Sequence, residues 1–267
     1  MKSLDMLSTR LFLLAQFVTF WPVWRWYIER MIDGSDEPWG ILALATVVIL
    51  IVIRGKISPP TTTAVGVSSA VVAIYALSYG LLPPLFRSVL AVIVLSITLS
   101  SICYGRTMHA GVFGLILVSL PLIASLQFYG GFPIRFVTAF VSSQILGLIG
   151  YEVQPQGTLL HWMGEVIAVD APCAGIKMLW TGLYLNFTLA LWRNLGFVAT
   201  WLSTSFTLFS VFLGNIVRAT LLFFTESGII KAPDFAHQAI GVLIFVIVTL
   251  VVLSFHRLSR ETTPCVI

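Results

Sequence analysis

Long apolar runs separated by short polar linkers make up most of the chain. An apolar run of about 20 residues is typical of a helix that crosses the hydrocarbon core of a membrane, because the helix satisfies its own backbone polar groups. The pattern therefore predicts an all-α, polytopic membrane protein with about eight transmembrane helices. The predicted spans are residues 11–28, 39–54, 63–82, 86–104, 109–128, 174–192, 197–224 and 237–255.

A further apolar segment, residues 133–150, is not counted among these spans. It carries Arg135, Gln144 and several small or hydroxyl-bearing residues, and the Gly- and Pro-containing stretch 130–133 precedes it as a predicted turn. If it crossed the membrane, the later basic loops would change sides. We therefore expect an interfacial or re-entrant helix on the outer face. A short polar loop, 151–172, follows it and contains one strand-like piece at 166–169.

Composition and charge support a membrane protein and set its orientation. The chain is 58% hydrophobic and 10% charged, whereas about a quarter of the residues of a soluble domain are charged. The net charge of +4 comes from basic residues scattered singly between apolar runs, and this pattern does not favour nucleic-acid binding. Basic residues near span ends predict a multi-pass protein of the cytoplasmic (inner) membrane with both termini in the cytoplasm. These residues are Lys2, Arg10, Arg54, Lys56, Arg106, His109, Arg193, His256, Arg257 and Arg260.

Cys173 is the candidate nucleophile on the outer side. It follows Pro172 where a helix is expected to begin, and a thiol at a helix N-terminus feels the positive end of the helix dipole, which favours the reactive thiolate. The alternative is that Cys173 is only a small apolar residue that packs at a span end. Cys103 and Cys265 lie at a cytoplasmic span end and in the tail, without comparable partners, and the spacing of the three cysteines predicts neither a disulfide nor a metal site.

Arg218 lies near the outer end of the seventh predicted span. An ionised side chain at that depth usually faces a polar cavity or a partner, although an Arg can also extend its side chain to the interface. Asn215 precedes Arg218 by three residues and therefore lies on the same helix face. The two residues together predict a polar stripe with a functional role.

His237 opens the last predicted span on the same outer side. A histidine there can act as a general acid and base near neutral pH, or it can merely cap the helix. Because the predicted topology places Cys173, Arg218 and His237 at one membrane depth, a shared site for cysteine-dependent acyl transfer is favoured. His161, with Glu165, is the lesser candidate for the base.

These motifs resemble those of the exosortase/archaeosortase family of membrane transpeptidases. The resemblance rests on the Cys-small-Gly element at 173–175, the Asn-x-x-Arg element from Asn215 to Arg218 and a single His opening the last helix, and it covers roughly residues 115–255. The chain departs from the Glu-Ala-Cys-Ser-Gly stretch of many members, because Ala174 replaces the Ser and the acidic residue, Asp170, lies one place further back. We expect one membrane domain over 1–267, with N-terminal spans in 1–110, an exosortase-like core in 111–255 and a cytoplasmic tail in 256–267.

The resemblance implies a membrane-embedded cysteine protease and transpeptidase without metal or organic cofactor. Its substrates would be exported proteins whose C-terminal sorting signal consists of a short motif, a hydrophobic helix and basic residues, as in the PEP-CTERM type. In this scheme Cys173 is the nucleophile, Arg218 stabilises the oxyanion and His237 is the general acid and base, with Asn215 and Asp170 in support. The expected partners besides these substrates are membrane lipid and an unidentified acceptor, such as a cell-surface glycan or lipid.

A hypothesis from a different class stays open at this point. The chain could be a non-enzymatic transporter, or a subunit of envelope polysaccharide export, in which Arg218 and Asn215 line a path and Cys173 only packs. A rhomboid-like or zinc-dependent intramembrane hydrolase is not favoured, because the sequence contains neither a Gly-x-Ser-x-Gly nor a His-Glu-x-x-His element.

Overall fold

The computed structural model describes residues 2–32, 39–54, 57–169, 175–233 and 235–258 of the chain. In these ranges the chain forms ten helices and a three-stranded antiparallel sheet. The helices are α1 (Lys2–Thr19), α2 (Trp21–Ile32), α3 (Trp39–Arg54), α4 (Thr62–Leu77), α5 (Pro84–Tyr104), α6 (Ala110–Ser119), α7 (Ile123–Ile149), α8 (Ile176–Trp192), α9 (Phe197–Glu226) and α10 (Ala236–Leu258). The strands are β1 (Gln154–Gln156), β2 (Leu159–Trp162) and β3 (Glu165–Ala168).

The predicted helical membrane architecture is confirmed. Among the described residues, four helices, α5, α7, α9 and α10, are long and apolar enough to cross a membrane, and α3, α4 and α6 are shorter apolar helices. The last three predicted spans agree with α8, α9 and α10 to within about three residues at each end. The number of eight spans stays a prediction.

The region from 109 to 150 differs from the prediction of one span followed by a separate outer-face helix. The helix α6 ends at Ser119 because Pro121 disfavours helical backbone in the residue before it, and Leu120 is accordingly extended, with φ −65° and ψ 151°. The predicted turn at 130–133 is wrong, because Pro133 lies inside the continuous 27-residue helix α7. The segment 133–150 is therefore the C-terminal part of α7 and not an independent helix.

The first predicted span, 11–28, is also interrupted. The helix α1 ends at Thr19 and α2 begins at Trp21, with a turn at Phe20 between them. Pro22 is the second residue of α2, and because it has no backbone N–H it cannot continue the hydrogen bonding of α1. Phe20 is fully buried and fixes the turn by packing edge-on against the ring of Tyr75, with a centroid distance of 5.0 Å.

The described chain divides into two compact units. The first comprises residues 1–122 and 187–201, and in it α4 packs on α5 and α3 packs on α6. A Cβ atom at Gly40 would overlap the carbonyl of Ser119, and one at Gly114 would overlap the ring of Phe187. These glycines therefore permit the close approach of α3 to α6 and of α6 to the end of α8.

The second unit, residues 123–186 and 202–267, has its helix directions fixed by pairs of contacting residues. Asn186 of α8 donates to Thr204 of α9, whereas a Cβ atom at Gly175, just before α8, would meet Asn215, so α8 and α9 are antiparallel. In α7, Thr138 bonds to Asn215 and Ser142 to the carbonyl of Ile216.

The remaining contacts place four helix ends and the sheet together. Leu146 of α7 shares a buried cluster with Leu222 and Phe223 of α9, so residue numbers rise together and these two helices run in the same direction. The α9–α10 pair is antiparallel, since Glu226 contacts His237 and Phe206 stacks on Phe255. The end of α7, the sheet, the start of α8, the end of α9 and the start of α10 therefore lie at one end of the unit.

The small sheet covers this end of the unit. Its order is β1-β2-β3, and the strand-like piece predicted at 166–169 is confirmed in its position by β3. Leu160, Ile167 and Val169 are buried and pack against the residues of α7 and α9. The β2–β3 turn at Met163 and Gly164 has positive φ at both residues, 49° and 89°, as a two-residue hairpin requires.

Candidate functional site

His237 lies at the first turn of α10 and is paired with a carboxylate that the sequence analysis did not single out. Its Nδ1 donates to Oε1 of Glu226, the last residue of α9, at 3.0 Å. A carboxylate only accepts hydrogen bonds, so the Nδ1 position carries the proton and the lone pair of the neutral ring is on Nε2. Both side chains are partly exposed, 41% and 49%. The pair therefore orients the imidazole and adds little to stability.

Arg218, in α9, also contacts α10, about one helical turn away from His237. A Cβ atom at Gly241 would lie 3.4 Å from the Nε of Arg218 and 3.6 Å from its Cζ, so the guanidinium lies against the bare backbone of α10. Gly241 follows His237 by four residues and is on the same face of the helix. The backbone positions of His237 and Gly241, which Arg218 contacts, are thus separated by about 6 Å of helix rise.

Asn215 connects two of the motifs that the sequence analysis used. Its Nδ2 donates to Oγ1 of Thr138 at 3.1 Å, and both side chains are buried. Gly175 has a φ of +70°, and a Cβ atom there would lie 2.9 Å from Oδ1 of Asn215. Any other residue at 175 would be strained by its backbone and crowded by the amide. The Gly of the Cys-small-Gly element is therefore explained by its contact with the Asn of the Asn-x-x-Arg element.

Two of the predicted site residues, Cys173 and Asp170, lie outside the described residues. Gly175 is the first described residue after them, and Val169 is the last one before them. Val169 is buried against α9 and Gly175 contacts Asn215. Val169 and Gly175 therefore both lie at the end of the unit where Arg218 and His237 lie.

A cleft opens between the sheet and the ends of α9 and α10. Its volume is about 270 Å³. One wall is the edge strand, from Val166 to Val169, and the other contains Glu226 and His237. Leu160, Ala219 and Leu222 form the remainder of the lining. This arrangement places the Glu226–His237 pair beside the edge strand of the sheet.

His161, the lesser candidate for the base, lies in β2. Successive side chains of a strand point to opposite faces, and its neighbour Leu160 is buried toward α9. His161 therefore faces away from the α9 side of the sheet. Glu165, which was grouped with it, pairs with Trp162 at the hairpin turn and is exposed. This geometry supports His237 as the base.

Glu226 is the partner of His237 that sequence reasoning missed. Its position could have indicated it, because it is an acidic residue at the C-terminal end of a long apolar helix, eleven residues before His237. Within the described ranges, no group of three His, Cys, Asp or Glu side chains could hold a metal ion. Cys103 is buried in α5 of the other unit as a free thiol.

The fold defines a multi-pass, helical membrane protein with a polar cluster at one end of a helix bundle. The chain belongs to the transmembrane exosortase family, whose model matches residues 8–254. No curated protein and no solved structure matches the chain. The family match extends well beyond the residues 115–255 on which the resemblance was based, since it includes the N-terminal helices.

Proposed function

We propose that the protein is a cysteine transpeptidase that cleaves a C-terminal sorting signal of exported proteins. One observation carries the proposal. Glu226 pairs with His237 where α9 ends and α10 begins, and Arg218 of α9 contacts α10 at Gly241, one turn away. Family membership supports an exosortase-type role, and Cys173 lies two residues before Gly175, which contacts Asn215. In this proposal Cys173 supplies the nucleophilic thiol.

The first half of the reaction forms a thioester. Cys173, as thiolate, attacks the carbonyl carbon of the scissile peptide bond, and the negative charge that develops on the carbonyl oxygen is stabilised by the guanidinium of Arg218. The tetrahedral intermediate breaks its C–N bond. Nε2 of His237, in the protonated ring, gives its proton to the leaving amine, while the Glu226 carboxylate holds Nδ1 and stabilises the imidazolium.

The second half transfers the exported protein to an acceptor. A hydroxyl or amine nucleophile gives its proton to Nε2 of His237 and attacks the thioester carbonyl, and the C–S bond breaks to restore the thiolate. Asn215 supports the site by position, because its Nδ2 donates to Thr138 and its Oδ1 faces Gly175. In this scheme the released anchor helix stays in the membrane.

The proposal includes the sidedness of the enzyme. We place the site on the periplasmic or extracellular side of the cytoplasmic membrane, with eight spans and both termini cytoplasmic. The charge distribution supports this orientation, since His256 and Arg257 end α10 at the opposite end from His237. Substrates then meet the site after export, beside their own membrane anchor. The acceptor is a cell-surface glycan or lipid in this scheme.

Co-expression with a reporter tests the function directly. The reporter carries a C-terminal signal made of a short motif, a hydrophobic helix and a basic tail, and its matched control ends before the hydrophobic helix. We expect wild-type protein to shorten only the first reporter, and mass spectrometry to find the shortened form joined to an acceptor. An unchanged reporter across several signal types would refute sorting-signal cleavage and favour the transport hypothesis.

Replacing Glu226 by Gln tests the acid–base pair. Gln cannot stabilise the imidazolium by charge, so we expect about a tenfold fall in kcat with little change in KM, because the pair does not bind substrate. Rates are measured with the reporter in detergent-solubilised enzyme. Glu226→Asp should recover part of the loss.

A matched control for this variant is available in the first unit. Glu29 forms a comparably exposed ion pair with Arg25, at 2.8 Å, and Glu29→Gln should leave kcat unchanged. An equal loss in both variants, or a loss confined to KM, would contradict the positioning role of Glu226.

A further inference from the structure

The outer edge of β3 is a row of backbone groups aimed at the catalytic cleft. In the β2–β3 hairpin, Trp162 pairs with Glu165 across the two-residue turn, and Val169 N–H donates to the Thr158 carbonyl at 2.9 Å. Hydrogen-bonded pairs alternate with non-bonded pairs in an antiparallel ladder. The N–H and C=O groups of Val166 and Ala168 consequently point away from β2, toward the cleft.

No strand pairs with this edge in the part of the chain that the structure describes. Unpaired strand edges are templates for another extended chain, and proteins usually block an edge that is not used. The other edge of the same sheet is blocked by Pro155 of β1. The pair of Gln156 and Leu159 flanks the turn, and Pro155 pairs with Leu160 one position further from it. That register directs the backbone nitrogen of Pro155 outward, where it has no hydrogen to donate.

We infer that the sorting signal binds by adding an extended strand to the outer edge of β3, at Val166 and Ala168. This inference rests on the proposed function and adds the mode of substrate recognition. A peptide backbone satisfies the alternate N–H and C=O groups of the edge, whereas lipid tails cannot. His237 and Glu226 line the same cleft as Val166 and Ala168, so a strand there lies beside the acid–base pair.

The chain order supports the same placement. Cys173 follows Val169 by four residues, so the strand that binds the substrate leads directly to the nucleophile. Backbone pairing would let the site bind peptides of different sequence, because main-chain hydrogen bonds give affinity without reading every side chain. Side chains of the bound peptide would alternate between the two faces of the extended sheet.

Proline substitution tests the edge without changing the core. Ala168→Pro removes the outward N–H and leaves the bonds to β2 intact, and Pro155 already occupies the equivalent position at the other edge. We expect kcat/KM for the reporter to fall by about tenfold or more, as loss of a hydrogen bond in a desolvated cleft implies. Ala168→Ser, which keeps the N–H, is the matched comparison and should lose much less activity than Ala168→Pro.

Cysteine cross-linking gives an independent readout. In a variant with Cys103, Cys173 and Cys265 replaced by Ala, Val166→Cys is combined with reporters carrying one cysteine at successive positions next to the signal motif. Added-strand pairing predicts disulfides at alternate reporter positions only, because side chains on one face of a sheet recur every second residue. Gln156→Cys at the blocked edge of β1 should give none.

The outcomes separate this inference from the proposed function. If wild-type enzyme processes the reporter but Ala168→Pro is fully active, or cross-links lack the two-residue period, strand addition is wrong and cleavage stands. If wild-type enzyme processes no reporter, the proposed function itself fails. Should Ala168→Pro not accumulate in membranes, the cross-linking pattern alone decides, with alternate positions supporting the inference and a uniform or empty pattern overturning it.

Discussion

Replacing Cys173 by Ala should abolish processing of the reporter while leaving the protein in the membrane at its normal level. The thiolate is the only group in the scheme that forms a covalent bond with the substrate, and removal of such a nucleophile typically lowers kcat by about 1,000-fold or more. The change from Cys to Ala removes a single sulfur atom. We therefore expect no loss of the fold.

The controls for this variant lie elsewhere in the chain. Cys103→Ala changes a buried thiol in α5, in the other compact unit, and should process the reporter at the wild-type rate. Brief incubation of the wild type with substrate, without acceptor, should yield a thioester that hydroxylamine cleaves, and Cys173→Ala should yield none. Normal processing by Cys173→Ala would refute a cysteine mechanism altogether.

Replacing Arg218 by Gln should have the second largest effect, a fall in kcat of about 100- to 1,000-fold. The guanidinium lies against Gly241, about one turn from His237, where it can stabilise the oxyanion in the transition state. Because that charge develops only during the reaction, KM should change much less than kcat. Single-turnover kinetics with the reporter separate the two quantities.

Two further variants sharpen this expectation. Arg218→Lys keeps the charge but loses the planar fork of donors, so it should recover only part of the rate. Arg25→Gln removes an exposed arginine that pairs with Glu29 in the first unit and should leave the rate unchanged. A loss of Arg218→Gln protein from the membrane, or an increase in KM without a fall in kcat, would contradict the assigned role.

The helices of the second unit were largely predictable because their apolar runs end at strong polar signals. The spans predicted at 174–192, 197–224 and 237–255 match α8, α9 and α10 closely. The boundary between α6 and α7 was predicted wrongly, because hydropathy averages over Pro121, whose effect is on the backbone of one neighbouring residue. At Pro133 the error was reversed, because a turn was predicted where the helix is continuous. Membrane helices tolerate an internal proline when neighbouring groups satisfy the freed carbonyl.

The candidate site was predictable in its residue types and only partly in its contacts. Arg218 and His237 were selected by charge and by position at span ends, both of which are local properties. The pairing of Glu226 with His237, and of Gly175 with Asn215, depends on how three helices are aligned, which no local pattern encodes. The roles of Cys173 and Asp170 stay predictions, since these two residues lie outside the described part of the chain.

The helix α9 fixes the spacing of two charged residues. Arg218 and Glu226 are eight residues apart on one helix, and this separation corresponds to about 12 Å of rise. Because an α-helix is stiff along its axis, this backbone separation is fixed. In the proposed function, a substrate that contacts both residues must therefore match this distance, whatever side chains it carries.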